Sequence, residues 1–235
     1  MNITPQLLYN ILLEHFGKLN WWPTDINYHK KIGSDPRFEV IVGAILTQNA
    51  AWSNVEKALI NLKNKKLVDI KKISKIDIKI LKEMIKPTGF FNQKAKRLKD
   101  IAVFLESRYQ ANLDKFFKIS LKEIRKELLM LNGIGPETAD SILLYAGNLP
   151  IFVVDAYTKR ICKRLPIKIN PTYDDIQNYF QKNLLKKYKK NEISKIYNEL
   201  HALIVIHAKT YCKNKPECTI CPLQKICMYN KKLFQ

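Results

Sequence analysis

The chain lacks the features that direct a protein into a membrane or out of the cell. Its most apolar segments, residues 40–46 and 202–206, fall far short of the ~20 residues that a membrane-spanning helix needs. The amino terminus shows no basic start, apolar stretch or small-residue cleavage site of a secretory signal. These absences predict a cytoplasmic protein with no membrane partner, a setting in which clustered cysteines bind metal more often than they form disulfides.

Patterns that form β-strands are also scarce. Only residues 151–154 are rich in β-forming side chains, and this run is too short to build a sheet. With 7 Gly and 10 Pro, the composition excludes a fibrous or largely disordered chain. Apolar residues instead recur at three- and four-residue spacing, which indicates amphipathic helices and predicts an all-α fold. The predicted helical segments are residues 7–16, 38–46, 55–62, 95–105, 121–131, 138–146, 157–165, 173–184 and 193–206, with short solvated helices in the lysine-rich segment 63–79.

The charge is strongly one-sided, since 41 basic residues face 21 acidic ones and give a formal net charge of +20. Such an excess favours a polyanionic partner, and double-stranded nucleic acid is the densest polyanion in a cell. Lysine-rich faces are often merely solvated, however, and only six of the basic residues are arginine. The charge therefore supports a nucleoid-associated location without proving one.

A glycine-rich turn joins two predicted helices in the segment LNGIGPETAD, residues 131–140. Gly133 and Gly135 permit positive φ angles, and Pro136 suits the first position of the next helix. The amides at the start of that helix, together with its dipole, can bind a phosphate without reading bases. For such a motif taken alone, a capped turn with no ligand is the simpler interpretation.

An aspartate, Asp155, follows Gly135 by twenty residues and begins another predicted helix in the segment VVDAYTKR. Considered alone, it is most simply a helix N-cap that accepts hydrogen bonds from the amides of Tyr157 and Thr158.

Taken together, the segments LNGIGPETADSILLYA and VVDAYTKRICKRL resemble the helix-hairpin-helix and the Gly/Pro-Asp segment of the endonuclease III superfamily of DNA glycosylases. Residues 38–50 resemble the early barrel helix and wedge loop of that family, and residues 87–98 resemble its middle helix. The resemblance implies a two-lobed fold, with a helical barrel domain at residues 34–149 and a discontinuous iron-sulfur domain at residues 1–33 and 150–235. We expect a monomer that binds double-stranded DNA, with the damaged base in the cleft between the lobes.

The resemblance also makes Asp155 the catalytic carboxylate. Breaking an N-glycosidic bond builds positive charge on the sugar, which a carboxylate stabilises while it orients or deprotonates a water. Either Gln48 or Asn49 is expected to fill the gap that a flipped nucleotide leaves. The hairpin residues expected to contact DNA are Gly133, Ile134, Gly135 and Thr138.

Family members that also cut the DNA strand carry a lysine at the hairpin position held here by Glu137. That amine attacks the sugar and forms a Schiff base, which a carboxylate cannot do. We therefore expect a monofunctional glycosylase that uses water. Lys209, which the resemblance leaves near the pocket, is the lysine that could substitute.

The WWP segment, the TQN loop and PTGFFNQKAKRL resemble more closely the 3-methyladenine DNA glycosylase branch, which also has Glu at the position of Glu137. In that branch, residues matching Trp22, Pro23 and Trp52 enclose the flipped base. A cationic N-alkylated purine stacks well between aromatic faces and is a good leaving group. Plain core packing is the alternative for the tryptophans. The predicted base pocket comprises Trp21, Trp22, Pro23, Trp52, Glu137 and Lys209.

Four cysteines close to the carboxyl terminus have the spacing C-x5-C-x2-C-x5-C, which suits a 4Fe-4S cluster. The family pattern has one more residue in the first loop. Zinc or metal-free thiols are the alternatives, although zinc sites more often show two C-x-x-C knuckles. A fifth cysteine, Cys162, is predicted to be a small buried hydrophobic residue. The predicted cluster ligands are Cys212, Cys218, Cys221 and Cys227.

Other functions stay open at this point. A bifunctional glycosylase and abasic-site lyase for oxidised pyrimidines is disfavoured by Glu137. A mismatch adenine glycosylase would need a further recognition domain, and the chain ends soon after Cys227. A non-catalytic helix-hairpin-helix DNA-binding protein would tolerate the loss of Asp155, whereas a glycosylase would keep DNA affinity and lose turnover.

Overall fold

The computed structural model describes residues 3–233, and no β-strand occurs among them, which confirms the all-α prediction. Within the same residues, no helix has the length and apolar character needed to cross a membrane. A π-helical turn, Ile142–Ala146, extends α10, and 3₁₀ turns lie at Lys86–Thr88, Cys218–Ile220 and Gln224–Ile226. The α-helices are, in chain order, α1 (Pro5–Phe16), α2 (Ile26–Ile32), α3 (Pro36–Leu46), α4 (Trp52–Asn64), α5 (Ile70–Lys75), α6 (Ile78–Ile85), α7 (Phe91–Tyr109), α8 (Leu113–Lys118), α9 (Leu121–Leu129), α10 (Pro136–Ser141), α11 (Ala156–Arg164), α12 (Tyr173–Leu185), α13 (Ile193–Thr210) and α14 (Met228–Leu233).

Short polar side chains determine where many of these helices begin. Each accepts a hydrogen bond from an amide of the first turn, which has no partner within the helix. A cap contributes about 1 kcal/mol, and helices as short as α2 and α5 also need tertiary packing, since isolated helices of this length are unstable. The capping residues are Thr4, Asp25, Asp35, Asp69, Asp77, Asn112, Ser120, Asp155 and Thr172.

The chain packs as two compact units. The central unit is Trp22–Gly147, and the terminal unit joins residues up to Trp21 with those from Asn148 onwards. Helix α2 is thus part of the central unit, where the buried His29 side chain hydrogen-bonds to Glu39 of α3 at 2.8 Å. The predicted functional domains, with limits at residues 34 and 149, stay a prediction.

Helix α7 lies at the middle of the central unit and packs against α3, α5, α6 and α8. The lysine-rich segment 63–79 was predicted to be solvated, but this is wrong for part of it. Ile70 and Ile73 of α5 are buried against α7, because isoleucines at three-residue spacing share one helix face while the lysines occupy the other.

In the terminal unit, α13 is the most buried helix and packs against α1 and α11. The run 151–154, rich in β-forming residues, is extended and buried but pairs with no strand. Side chains of α12 replace strand partners instead. Gln177 donates to the Phe152 carbonyl at 2.6 Å, and the Gln181 side chain accepts from the Phe152 amide at 2.9 Å. The Phe152 ring stacks on Phe180 with centroids 4.4 Å apart.

A buried ionic network anchors α2 and α4 to α3 in the central unit. Glu39 accepts from His29 at 2.8 Å and pairs with Lys63 at 2.6 Å, and only 2% of the residue is exposed. Burial raises the pKa of Glu39, but the bonds from His29 and Lys63 outweigh it, so the pKa lies below its ordinary value.

Replacing this carboxylate should therefore be costly. We expect Glu39→Ala to lower the free energy of unfolding at pH 7 by about 3–5 kcal/mol, because it leaves buried partners unpaired. The exposed Glu83→Ala is the control and should cost less than about 0.5 kcal/mol. The lowered pKa of Glu39 gives stability that is fully present above the ordinary pKa of about 4.3 and is lost as the pH falls towards the lowered pKa. The loss of unfolding free energy in Glu39→Ala should therefore be smaller at pH 3. Urea unfolding at both pH values measures this, and an unchanged deficit at pH 3 would contradict an ionised Glu39.

Candidate functional site

Asp155 lies at the amino-terminal end of α11 and caps that helix. Its Oδ1 accepts hydrogen bonds from the Thr158 amide at 2.7 Å and the Thr158 hydroxyl at 2.9 Å. This confirms the capping role predicted for Asp155 with Thr158. These two bonds fix the orientation of the carboxylate. Only 8% of Asp155 is exposed.

A histidine that sequence reasoning missed lies beside Asp155. The His201 Nε2 is 3.6 Å from Asp155 Oδ2, on the neighbouring helix α13. Burial lowers the pKa of His201 and the Asp155 carboxylate only partly offsets this, so the imidazole is neutral near pH 7. Nothing in the sequence indicated this pairing, because His201 is simply one member of a buried helix face.

Two arginines, one in the middle of α11 and one at its last residue, join this helix to the cysteine segment. Arg160 donates to the Cys212 carbonyl at 2.7 Å. Arg164 donates to Cys212 Sγ at 3.1 Å and to the Lys213 carbonyl at 2.7 Å. Helix α11, whose amino-terminal end Asp155 caps, is therefore fixed to the cysteine segment at its carboxyl-terminal end.

The four cysteines of residues 212–227 line one cavity, together with His207 and Arg164. Burial, and more weakly the other three thiols, raise the pKa of Cys221 to about 11. In residues 3–233, no three His, Cys, Asp or Glu side chains form a group able to hold a metal ion. Cys162 is separate from this cavity and buried, as predicted, and burial raises its pKa to about 12.

The hairpin between α9 and α10 has one glycine in the left-handed region. Of the two glycines that permit a positive φ, Gly133 adopts one, with φ +80°, whereas Gly135 does not, with φ −89°. Gly135 is instead an extended residue before α10, where Pro136 takes the first helical position as expected. Gly133 has a second reason to be glycine, because an added Cβ would lie 2.7 Å from Arg97 Cδ.

The loop of residues 47–51, here called the probe loop, contains both candidate gap-filling residues and places them in different surroundings. Gln48 is half-buried, and its side chain donates to the Gly133 carbonyl at 3.0 Å and to the Thr138 hydroxyl at 2.8 Å. Asn49 is exposed and has φ +51°. The structure thus brings Gln48 together with two of the predicted hairpin residues and leaves Asn49 at the loop surface.

A buried lysine, also missed from the sequence, supports the start of this loop. The ammonium group of Lys94 donates to the carbonyls of Leu46 at 2.9 Å and Thr88 at 2.8 Å. Burial, and to a lesser extent Arg97, lower the pKa of Lys94 to about 8. Just after Thr88, the side chain of Phe90 is 64% exposed and its φ is +46°. An exposed aromatic residue in a strained conformation is a candidate functional residue.

The predicted pocket tryptophans are half-buried. In the central unit, the Trp22 ring lies 5.3 Å from the rings of both Trp52 and Tyr145. It also packs on Gly43, where an added Cβ would lie 2.8 Å from the indole. Trp21 belongs to the terminal unit.

A cavity in the central unit is lined by Pro23 and Trp52. The Trp52 indole donates to Glu56 at 2.7 Å, and Asp25, Glu39 and Lys63 also line the cavity. Two of the six predicted pocket residues thus share one cavity that is rich in carboxylates.

Glu137 and Lys209 are both exposed. Glu137 stands in the first turn of α10, where a carboxylate is favoured by the helix dipole. Lys209 lies on α13, with its ammonium group 6.0 Å from the centre of the Tyr157 ring. It is therefore close to the first turn of α11, which Asp155 caps.

An all-helical chain with a helix-hairpin-helix and a capping aspartate fits a known class of repair enzymes. The chain belongs to the HhH-GPD superfamily of base excision DNA repair proteins, whose family model matches residues 42–186. It is accordingly an endonuclease III-like DNA glycosylase, an enzyme that acts on N-glycosyl bonds.

The chain is also similar to particular proteins and solved structures. The chain is 46% identical over 224 residues to MJ1434 of Methanocaldococcus jannaschii, named as a candidate DNA repair glycosylase, with 94% of each chain covered. It is similar to the structure of the Helicobacter pylori 3-methyladenine DNA glycosylase MagIII, with a TM-score of 0.71, 29% identity, and 88% and 98% of the two chains covered. A structure of endonuclease III in non-covalent complex with DNA shares the fold, with a TM-score of 0.72, 22% identity and 99% of each chain covered.

The two hairpin glycines offer a matched test of the geometry. We expect Gly133→Ala to lower the free energy of unfolding by at least about 1–2 kcal/mol, since alanine is strained at this φ and collides with Arg97. Gly135→Ala should change it by less than about 0.5 kcal/mol, because its φ is ordinary and nothing lies within 4 Å of an added Cβ. Urea unfolding of both variants compares them. Equal losses would show that the hairpin does not have the described conformation.

Proposed function

We propose that the protein is a monofunctional DNA N-glycosylase that binds double-stranded DNA and releases an N-alkylated purine such as 3-methyladenine. The observation that carries this proposal is the cavity lined by Pro23 and Trp52, whose walls also include the carboxylates of Asp25 and Glu56. An N-alkylated purine is cationic, so it is attracted by an aromatic face and by carboxylates. A neutral oxidised pyrimidine would gain less from either.

The likeness to the H. pylori enzyme supports the same substrate class. That enzyme is a 3-methyladenine DNA glycosylase, and its structure contains 1,N6-ethenoadenine, a modified purine. The predicted pocket residues of this chain, including Trp22 with its two aromatic neighbours, suit the flat face of a purine.

In the proposed reaction, Asp155 acts on the sugar. Its Oδ1 is fixed by Thr158, and Oδ2 remains to face positive charge that develops as the glycosidic bond breaks. The neutral His201 imidazole lies beside Oδ2 and brings no positive charge to it. The same carboxylate can accept a proton from the attacking water, as general base.

Water rather than an amine is the proposed nucleophile. Glu137 occupies the hairpin position where a lyase would carry its lysine, and a carboxylate cannot form a Schiff base. The reaction would then end at an intact abasic site. Lys209 is the lysine that a lyase activity, if found, would implicate first.

We also propose that Cys212, Cys218, Cys221 and Cys227 hold a 4Fe-4S cluster. The donor set fits, because all four thiols line one cavity, and in such a cluster each cysteine binds a different iron, so the ligands need not converge on one point. Arg164, which donates to Cys212 Sγ, suits a thiolate better than a thiol. When bound, the cluster would cross-link the turns of residues 212–227.

A panel of duplexes, each with one lesion, tests the substrate and the reaction together. We expect release of 3-methyladenine and an abasic site that breaks only after later treatment with alkali or heat, since no amine attacks the sugar. Borohydride should trap little protein on the DNA. Release of an oxidised pyrimidine, with strand cleavage at the same rate and efficient trapping, would instead identify a bifunctional enzyme.

A pair of capping aspartates tests the role of Asp155. We expect Asp155→Asn to slow base release by about 100-fold or more, because a preorganised charge at the sugar is lost, while binding to abasic DNA persists. Asparagine caps a helix as well as aspartate does, so α11 should stay folded. Asp69→Asn changes the cap of α5 in the same way and should keep full activity. Retained activity in Asp155→Asn would exclude it as the catalytic residue.

Metal content tests the cluster. Protein purified without oxygen should be yellow-brown and contain about four iron atoms per chain. Cys218→Ser should lose the iron and loosen residues 212–227 in hydrogen exchange, whereas Cys162→Ser should retain it, since Cys162 is not in the cavity. One zinc per chain without iron would contradict the proposal.

A further inference from the structure

Five exposed lysines lie close together in the terminal unit, where α12 passes into α13. Within residues 182–192 the only acidic residue is Glu192, so five lysines against one glutamate leave a net charge of +4. This group of lysines is here called the lysine turn. Its members are Lys182, Lys186, Lys187, Lys189 and Lys190.

The lysine turn has no counter-charge within the protein. None of its five ammonium groups forms a hydrogen bond, an ion pair or a cation–π contact with any residue of the described range 3–233. The lysine-rich segment of the central unit differs, because Lys63 pairs with Glu39 at 2.6 Å and Lys75 with Glu106 at 3.2 Å. Like charges so close together repel one another, and a bound polyanion would relieve this repulsion.

The backbone that carries these lysines is anchored to α1. The Gln6 side chain donates to the Tyr188 hydroxyl, and the Tyr188 ring makes an edge contact with Tyr9 at a centroid distance of 6.0 Å. The Tyr188 amide donates to the carbonyl of Leu184 at 2.9 Å, and the Leu184 side chain is buried. The lysines on either side of Tyr188 are therefore held at defined points, so a ligand has to order only their side chains.

The lysine turn lies away from the candidate catalytic residue of the same unit. On α13, His201 is 3.6 Å from Asp155 and eight residues after Ile193, which begins the helix. At 1.5 Å per residue this separation is roughly 12 Å, and the lysine turn precedes Ile193. Lys209 lies towards the other end of α13, with its ammonium group 6.0 Å from the centre of the Tyr157 ring. The lysine turn is therefore separate from the lysine next to the first turn of α11.

We propose that the lysine turn binds the phosphates of a second segment of duplex DNA while Asp155 faces the first. Contacts to phosphates carry no sequence information, and lysine suits them because its ammonium group is a point charge on a flexible stem. Such a contact extends the sliding and hopping that phosphate contacts permit, since the protein can pass directly from one duplex segment to another. The proposal goes beyond the proposed function and requires only that the catalytic face binds DNA.

An anionic membrane surface is the other polyanion that could attract these lysines. Binding at such a surface relies on a broad apolar face that enters the lipid. Within residues 182–192, all of which the structure describes, Leu185 is the one large hydrophobic residue that is exposed. So narrow an apolar face favours duplex DNA, whose backbone attracts by charge alone.

The experiment measures capture of a second duplex by protein that is already bound to a first. The first duplex is short, carries a tetrahydrofuran abasic analogue and is attached to a surface, and the second is undamaged and fluorescent. We expect native protein to capture the second duplex. A variant with all five lysines of the turn changed to Gln should bind it at least about ten-fold more weakly. The slope of log affinity against log salt should fall by about 3–4, because each lost phosphate contact contributes about 0.9.

Two controls separate a local site from a general charge effect. The affinity of the lysine-turn variant for the first duplex should stay within about two-fold at 0.1 M salt, where the Debye length is about 10 Å. A second variant removes the same number of exposed lysines from the central unit and should capture the second duplex as native protein does. The lysines changed to Gln in it are Lys57, Lys65, Lys71, Lys79 and Lys118. Urea midpoints of both variants should match that of native protein, and sedimentation should show one chain with two duplexes.

Several outcomes would overturn the proposal. Native protein that captures no second duplex, a lysine-turn variant that captures it equally well, or a complex with two chains would each do so. An equal loss of affinity for the first duplex would instead assign these lysines to the catalytic face. Loss of binding to phosphatidylserine vesicles in the lysine-turn variant, with DNA capture unchanged, would identify a membrane as the partner. Failure of the proposed function would appear separately, as an absence of base release by the unmodified protein.

Discussion

Two loops of the central unit, residues 47–51 and 88–90, depend on the ammonium group of Lys94. A buried cation is tolerated only if it is well solvated by fixed dipoles, and here two carbonyls at chain turns, those of Leu46 and Thr88, provide them. Removing the cation would leave these carbonyls buried without a donor. Two of the exposed residues with positive φ, Asn49 and Phe90, each follow one of these carbonyls by a few residues. One side chain therefore fixes the backbone just before both of them.

In the terminal unit, a helix rather than a single side chain holds the candidate catalytic residue in place. Helix α11 has nine residues, so its ends lie roughly 13 Å apart at 1.5 Å per residue. Asp155 caps one end, and Arg160 and Arg164 bind the segment that begins at Cys212 near the other. The carboxylate is thus oriented directly by Thr158, and the helix that it caps is held in turn by the cysteine segment.

The sequence predicted the parts of this molecule that follow from local rules. Helical periodicity predicted the all-α fold, and capping chemistry predicted the bond between Asp155 and Thr158. Contacts between residues distant in sequence were not predictable, because nothing in the local pattern marks His201 as the neighbour of Asp155 or Lys94 as the partner of Leu46. Gly133 has one feature that the local sequence predicts and one that it does not. Its positive φ follows from the turn, whereas its contact with Arg97, 36 residues earlier, emerges only from packing.

The proposed substrate explains why a single carboxylate at the sugar would suffice for catalysis. A cationic purine leaves as a neutral molecule, so the reaction needs no acid to protonate it, and a single carboxylate at the sugar supplies the main electrostatic help. Selection must then come from binding, since an undamaged purine differs from the substrate chiefly in charge. Aromatic faces and carboxylates detect that charge, and the charge of Lys63, which also lines the cavity, is offset by its ion pairs with Glu39 at 2.6 Å and Asp25 at 3.6 Å. A glutamate rather than a lysine at position 137 is consistent with this reaction, because the hairpin then carries no amine at that position to attack the sugar.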